Sequence, residues 1–277
     1  MQSKQALEVV ETLLQQTNSN ELAEVSGKLD QLIRLADETL HMQKVAALEA
    51  GHVLRFHAAG MHDIALALPD AQDDYIQRMV LRRRNFYESK LLGMIQAMDL
   101  IGPKVTVADV GANIGNHSVF FGKVLGAKRV LAFEPQPHCY ATLCRNLELN
   151  GLTDALAYNC MVGAKSGRGD MTRFNARNLG ATSFAPAKDG AIPMVALDDL
   201  IDAEEMKGLG FIKIDVEGMQ MDVLNGAKKL LKAFKPALWV EILEKDNSYD
   251  ETAALLEGLG YAATRLGPNN HVFIPKK

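Results

Sequence analysis

The sequence predicts an α/β protein on a mostly parallel sheet, with helices on both faces. Three observations predict it. From Val105 onward, short apolar runs alternate with longer helical ones, a pattern that makes parallel strands joined by right-handed crossovers. VTVADVGANIGNHS, Val105 to Ser118, reads as a buried strand, a glycine turn and a helix start. Near the carboxyl terminus the runs 261–266 and 271–274 flank Gly267-Pro268-Asn269-Asn270. Such a hairpin closes the sheet with an antiparallel strand.

The elements follow in order. Residues 4 to about 50 read helical, with Leu22, Val25, Leu29, Leu32 and Ala36 forming a stripe at spacings of three and four. Asn18 and Glu21 resemble a capping pair. The stripe spans about two heptads, short of the ~3–4 a coiled coil needs, so it packs on the core or forms a dimer arm. His52 to Leu68 reads as a hairpin around Gly60. Pro69 and Asp70 open a helix through Ile76, Met79, Val80 and Phe86, and a second runs from Glu88 to Met98. Gly102-Pro103 ends it, separating a helical extension with a small hairpin, 1–102, from the main domain, 103–277.

In the main domain, strands are expected at 105–110, 129–134, 155–160, 211–215 and 237–243, and helices at 116–126, 137–150, 219–233 and 249–259. The alternation breaks at about 163–198, where short strands form a β insertion at the sheet edge that binds ligands in such folds. Phe120-Phe121 reads as core.

Composition excludes several classes. The net charge of −4 gives no basic field for nucleic acid, and Arg82-Arg83-Arg84 reads as a solvated helix face. Cys139, Cys144 and Cys160 are too few for a disulfide scaffold and are not spaced for zinc, and no metal is expected. The amino terminus lacks a secretory pattern, and no apolar run nears the ~20 residues of a membrane span. A cytoplasmic location is the expectation.

The chemistry starts at Gly111-Ala112-Asn113-Ile114-Gly115. Glycine lets backbone approach a ligand, and the helix that follows presents unpaired N–H groups. Asp109 precedes the loop, and Glu134 ends the next strand at the offset suited to ribose hydroxyls. The dinucleotide fingerprint has a second glycine where Asn113 stands, and Asp109 would repel a pyrophosphate. The cationic cofactor S-adenosyl-L-methionine fits better than NAD. An oxidoreductase and a non-catalytic scaffold are the alternatives.

Catalytic candidates lie at strand ends. Glu217, in the turn after FIKID, is the first choice of base and Asp215 the second. Strand alternation places Phe211, Lys213 and Asp215 on one side, so a buried Lys213–Asp215 ion pair is the competing reading. Glu241 and His271 are candidate acceptor contacts, and His117 reads as a cap or surface histidine.

VADVGANIGNHS, LAFEPQPHCYATLCRNLELNGL, FIKIDVEGMQMDVLNGA and KPALWVEI, in this order and spacing, resemble the FkbM-type S-adenosylmethionine-dependent methyltransferases over about 87–274. The resemblance implies a class I methyltransferase (Rossmann-like) sheet of seven strands with the last antiparallel. It implies that Gly111 to Gly115 wrap the methionine moiety, that Asn116 lies near its carboxylate, and that Met161 packs on the adenine. It further implies that Tyr87-Glu88 reaches over the cofactor, and that the acceptor is a hydroxyl of a sugar, glycan or secondary metabolite. Where the family carries a further Glu after DVEG, this chain has Gln220.

Overall fold

The computed structural model describes residues 26–28, 30, 53–58, 62–243 and 248–276. The chain divides into two compact units, Met1–Ala47 and Leu48–Lys277. In the first, Ser26, Gly27, Lys28 and Asp30 are helical. The rest of the Leu22–Ala36 stripe, and the dimer arm read from it, lie outside the described residues, as does the turn at Gly60.

The second unit opens with an antiparallel hairpin, β1 (Leu54–Ala58) and β2 (His62–Leu66), followed by α1 (Tyr75–Arg83) and α2 (Ser89–Ala97). Helix α1 begins later than Pro69 because Asp74 caps it: its Oδ1 accepts from Gln77 N at 2.8 Å, while residues 70–74 are held in a turn. Next come β3 (Thr106–Val110), the short α3 (Asn116–Val119) continuing as a π-helical stretch, Phe120–Val124, then β4 (Arg129–Phe133), α4 (Pro137–Leu149) and β5 (Leu156–Tyr158). The insertion supplies β6 (Met161–Val162), β7 (Gly167–Arg173), β8 (Ser183–Pro186) and β9 (Ile192–Val195), a separate sheet of order β6-β9-β7-β8. The chain ends with β10 (Leu209–Ile214), α5 (Gln220–Asn225), α6 (Lys228–Phe234), β11 (Ala237–Glu241), α7 (Tyr249–Gly258), β12 (Tyr261–Arg265) and β13 (Asn270–Pro275).

The expected helix 219–233 is thus two helices. They part at Gly226 because the chain packs there on the insertion: a Cβ on Gly226 would lie 2.1 Å from Gly163 O.

The main sheet has seven strands in the order β12-β13-β11-β10-β3-β4-β5. All neighbours from β11 to β5 are parallel, and β13 runs antiparallel to both its neighbours. The order reverses between β3 and β10, where open α/β sheets form their ligand crevice. One face packs Ala108, Val110, Phe133, Ile212, Ile214, Leu238 and Val240 against Val223, Leu224, Leu231 and Leu256 of the helices. On the other face rings meet in sequence: Phe56 on Phe86, Phe86 on Phe120, Phe120 on Phe121, and Phe121 on Phe211 and Trp239. Phe120 and Phe121 are core, as the sequence indicates.

The hairpin is bound to the sheet unit by two asparagines one helical turn apart on α4. Asn150 accepts from Ala65 N (3.1 Å) and donates to Ala65 O (2.7 Å). Asn146 accepts from Ala67 N (2.6 Å) and donates to Ile114 O (2.8 Å). Both are buried. They satisfy the backbone of a sheet edge that would otherwise be buried without partners.

Candidate active site

At the order reversal the carboxyl ends of β3, β4, β10 and β11 open into a cleft holding about 970 Å³ of empty space, part of it open to solvent. Val110, Gly111 and Asn113 line it from β3 and its loop, Phe133 to Gln136 from β4, and Cys160 to Val162 from the segment after β5. Asp215, Glu217 and Glu241 come from β10 and β11. Tyr87 and Glu88 cover one end; Asn178, Gly180, Thr182 and Phe184 of the insertion cover another.

The loop after β3 is shaped by protein packing. Gly111 has φ +81, and a Cβ there would lie 1.8 Å from Asp215 O; Gly115 has φ +82 and abuts Leu143. Asn113 has φ +50, a conformation asparagine tolerates better than most residues. The turn aims its N–H inward. Glu134 Oε2 accepts from Asn113 N and Oε1 from Gln136 N, both at 2.8 Å. Burial, then the carboxylates of Asp109 and Asp215, outweigh these bonds and raise the Glu134 carboxyl to about 7.

The opposite end holds a buried charge network. Lys213 Nζ lies 2.8 Å from Asp215 Oδ2 and 3.9 Å from Asp109 Oδ1, over the Trp239 ring. Burial pushes the ammonium down, yet the two carboxylates hold it above its ordinary value. Asp215 also shares a hydrogen bond with Glu241. Two carboxyls in contact need a proton between them. Burial would raise Asp215, but Lys213 and that bond bring it down to about 2; the Asp215 charge, with burial, lifts Glu241 to about 10. Asp215 is the ionised member and Glu241 carries the proton.

Asn116 and His117 position the covering residues. Asn116 Oδ1 accepts from Tyr87 N at 2.9 Å, and its Nδ2 donates to Tyr87 O at 3.3 Å. His117 Nε2 lies 3.2 Å from Glu88 Oε2, not aligned as a hydrogen bond. Its ring stands edge-on to Trp239. Glu88 has φ +54, a left-handed backbone that a non-glycine residue holds only where neighbours impose it.

A model of the methyltransferase FkbM domain matches residues 109–263, more than half of the chain. The chain belongs to the FkbM methyltransferase family. It is 25% identical over 178 residues to Methyltransferase 1 of Beauveria bassiana, covering 56% of this chain and 72% of that protein. It is 28% identical over 174 residues to the hexuronic acid methyltransferase AglP of Haloferax volcanii, covering 61% and 69%. The crystal structure of an FkbM methyltransferase from Methylobacillus flagellatus superposes with a TM-score of 0.50 at 19% identity, over 74% of this chain and 56% of that one. That likeness supports the fold.

In this methyltransferase, Gly111, Asn113, Glu134, Met161, Asp215, Glu217, Glu88 and Glu241 line one cleft. Asp109, Ala112, Gly115, Asn116 and His271 do not. Asp109 lies within β3 facing the ring-bearing side, where Ser118 Oγ donates to its Oδ2 at 2.6 Å; it is the electrostatic backing of Lys213. Gly115 packs on α4, and the Asn116 side chain clamps Tyr87. His271 lies under Tyr249, ring centroids 4.6 Å apart. Gln220, at the family's Glu position, is buried and donates to Ser248 Oγ, so the departure falls on the start of α7 and outside the cleft.

Sequence reading missed Gln136, Asn178 and Thr182. Gln136 Nε2 donates to Leu179 O at 2.8 Å, and Asp74 Oδ2 accepts from Leu179 N at 2.8 Å, so the insertion's cover is tied to α1 and to β4's loop. The one sequence signal was the polar cluster NARN at 175–178. Among the described residues, no helix is long and apolar enough to cross a membrane.

Proposed function

We propose that this methyltransferase uses S-adenosyl-L-methionine to methylate a hydroxyl of a sugar, glycan or secondary metabolite. The observation that carries the reading is the charge of the cleft. Among the described residues, Glu88, Glu134, Asp215, Glu217 and Glu241 line it, and no lysine, arginine or histidine does. A diphosphate would meet carboxylates and no cation, which disfavours a dinucleotide; a ligand with a sulfonium and an ammonium meets complementary charge. The residues fit the cofactor on a second count: Asn113 Oδ1 and Asn178 Oδ1 are buried without hydrogen-bond partners. They are acceptors awaiting donors. The relative that methylates hexuronic acid supports a glycan-type acceptor.

When bound, the cofactor supplies an electrophilic methyl group on sulfur. Glu134 would hold the ribose hydroxyls, Gly111 and Asn113 the methionine moiety, and Met161 would pack on the adenine. Asp215, ionised by Lys213 and bonded to Glu241, would face the cofactor's cationic centre. Glu217, in the turn Val216–Met219 with Gly218 at φ +82, takes the acceptor's proton.

Calorimetry tests both parts. S-adenosylhomocysteine should bind and NAD should not; the reverse result ends this mechanism. Glu217→Ala should keep the S-adenosylhomocysteine affinity within about twofold and lower turnover about a hundredfold, the low end for a general base. Equal loss of affinity and turnover would move Glu217 to the cofactor.

A further inference from the structure

Resting on the reading of Glu134 as the seat of the cofactor's ribose, we infer that Gln136 is a positioning residue that couples that seat to the insertion's cover, so that the cover is held down hardest when the seat is filled. The cover is the turn Leu179–Ala181 with its flanks, of which Asn178, Gly180 and Thr182 line the cleft.

Both oxygens of Glu134 lead to that turn. Oε1 accepts from Gln136 N at 2.8 Å, and the same residue's Nε2 donates to Leu179 O at 2.8 Å. Oε2 accepts from Asn113 N at 2.8 Å. Asn113 in turn lies against Gly180, where a Cβ would come 3.0 Å from Asn113 Nδ2 and 2.8 Å from Ile76 Cδ1. One carboxylate thus reaches two consecutive residues of the cover, through one intermediate residue each. On its far side the cover is tied to α1: Leu179 N donates to Asp74 Oδ2 and Tyr75 N to Arg177 O, both at 2.8 Å. Glu134, Gln136, Leu179 and Asp74 are all buried, so a broken link in this chain of bonds leaves a polar group without a partner.

Filling the seat changes the first link. Without ligand the Glu134 carboxyl, at about 7, is protonated in about half of the molecules at neutral pH. A proton there weakens its acceptance from Gln136 N or Asn113 N. Ribose hydroxyls donating to it favour the carboxylate. Ionised, it accepts stronger bonds from both N–H groups. That fixes the Gln136 backbone and aims its side-chain amide at Leu179. Closure of the cover and affinity for the cofactor then share one coupling.

Amide hydrogen exchange over residues 175–184 tests this, read by mass spectrometry on the full chain with and without saturating S-adenosylhomocysteine. In wild type, binding should slow exchange there by about tenfold, inside the roughly 5–150-fold usual for coupled sites. Gln136→Met matches the side chain in length and leaves Leu179 O the N–H of Thr182 at 3.2 Å. In it the slowing should fall below about twofold, while S-adenosylhomocysteine binds no more than about tenfold weaker, the reciprocal of the lost coupling. Gln136→Asn, still polar but one carbon short, should do the same. Asp74→Asn keeps an oxygen for Gln77 N and gives up the one for Leu179 N. It should speed exchange with and without ligand alike and leave their ratio standing. Slowing that persists in both Gln136 variants would mean that the ligand holds the cover directly, and it overturns the proposal. A ratio lost equally in Asp74→Asn does so too, as the mark of general loosening. So does affinity lost beyond about tenfold in Gln136→Met, which would seat Gln136 on the ligand itself. Exchange unchanged in a wild type that binds S-adenosylhomocysteine is a fourth refutation. A wild type that does not bind it at all, seen first by calorimetry, removes the cofactor reading and this inference with it.

Discussion

Lys213→Met should destabilise the protein by about 3–5 kcal/mol, the loss that follows removal of one partner from a buried ion pair. The side chain is buried, and its ammonium is the cation between Asp215 at 2.8 Å and Asp109 at 3.9 Å. Without it Asp109 is left buried with Oδ1 unpartnered and only Ser118 on Oδ2. Asp215 keeps Glu241 alone. At roughly 2–4 °C per kcal/mol for a domain near this size, the melting temperature falls by about 6–20 °C. The double change Lys213→Met, Asp215→Asn should recover part of the loss, because it deletes a charge together with its counter-charge. A thermal shift under about 2 °C for Lys213→Met would mean that the network is solvated and that the charge states assigned to Asp215 and Glu241 are wrong.

Glu134→Ala should weaken S-adenosylhomocysteine binding by about 10²–10⁴-fold. Two hydroxyl bonds to a carboxylate are worth about 1.5–3 kcal/mol each, and the change also strips acceptors from Asn113 N and Gln136 N, loosening the loop that shapes the cleft. Glu134→Gln is no rescue: both oxygens already accept from backbone N–H, so an amide turns a donor against a donor. The same carboxyl predicts a pH effect. Its folded value of about 7 lies above the ordinary 4.5. The folded protein therefore holds a proton that the unfolded chain releases, and this contribution to stability is full below about pH 4.5 and lost as pH rises through about 7. By linkage it is about 3 kcal/mol. Without ligand, stability should fall across that window, while affinity for the cationic cofactor should climb from pH 6 to 8 as Glu134 ionises. Stability that is flat from pH 5 to 7.5, in urea unfolding of wild type against Glu134→Ala, would refute this role for the carboxyl.

The sequence alone determined the sheet, because the signals for it are local. Apolar runs bounded by Gly, Pro and Asn mark strands, and β10 alternates sides as FIKID demands, with Ile212 and Ile214 in one core and Phe211 and Lys213 in the other. It also brought out the acids at strand ends, since parallel strands must gather those ends at one edge. Only the tertiary structure decided which acids are spoken for. Asp109 and Asp215 look alike in sequence, but strand register sets Asp109 opposite Lys213 inside the sheet, whereas Asp215 lies past its end in the cleft. Asn116 reads as a residue at a helix start, and only the fold shows its side chain clamping Tyr87, because that partner comes from 29 residues away. Asn146 and Asn150 read as helix surface and helix stop, yet they bind a strand edge 79 and 85 residues distant. A side chain's periodicity is written in its neighbours; its hydrogen-bond partner, when it lies across the fold, is written nowhere near it.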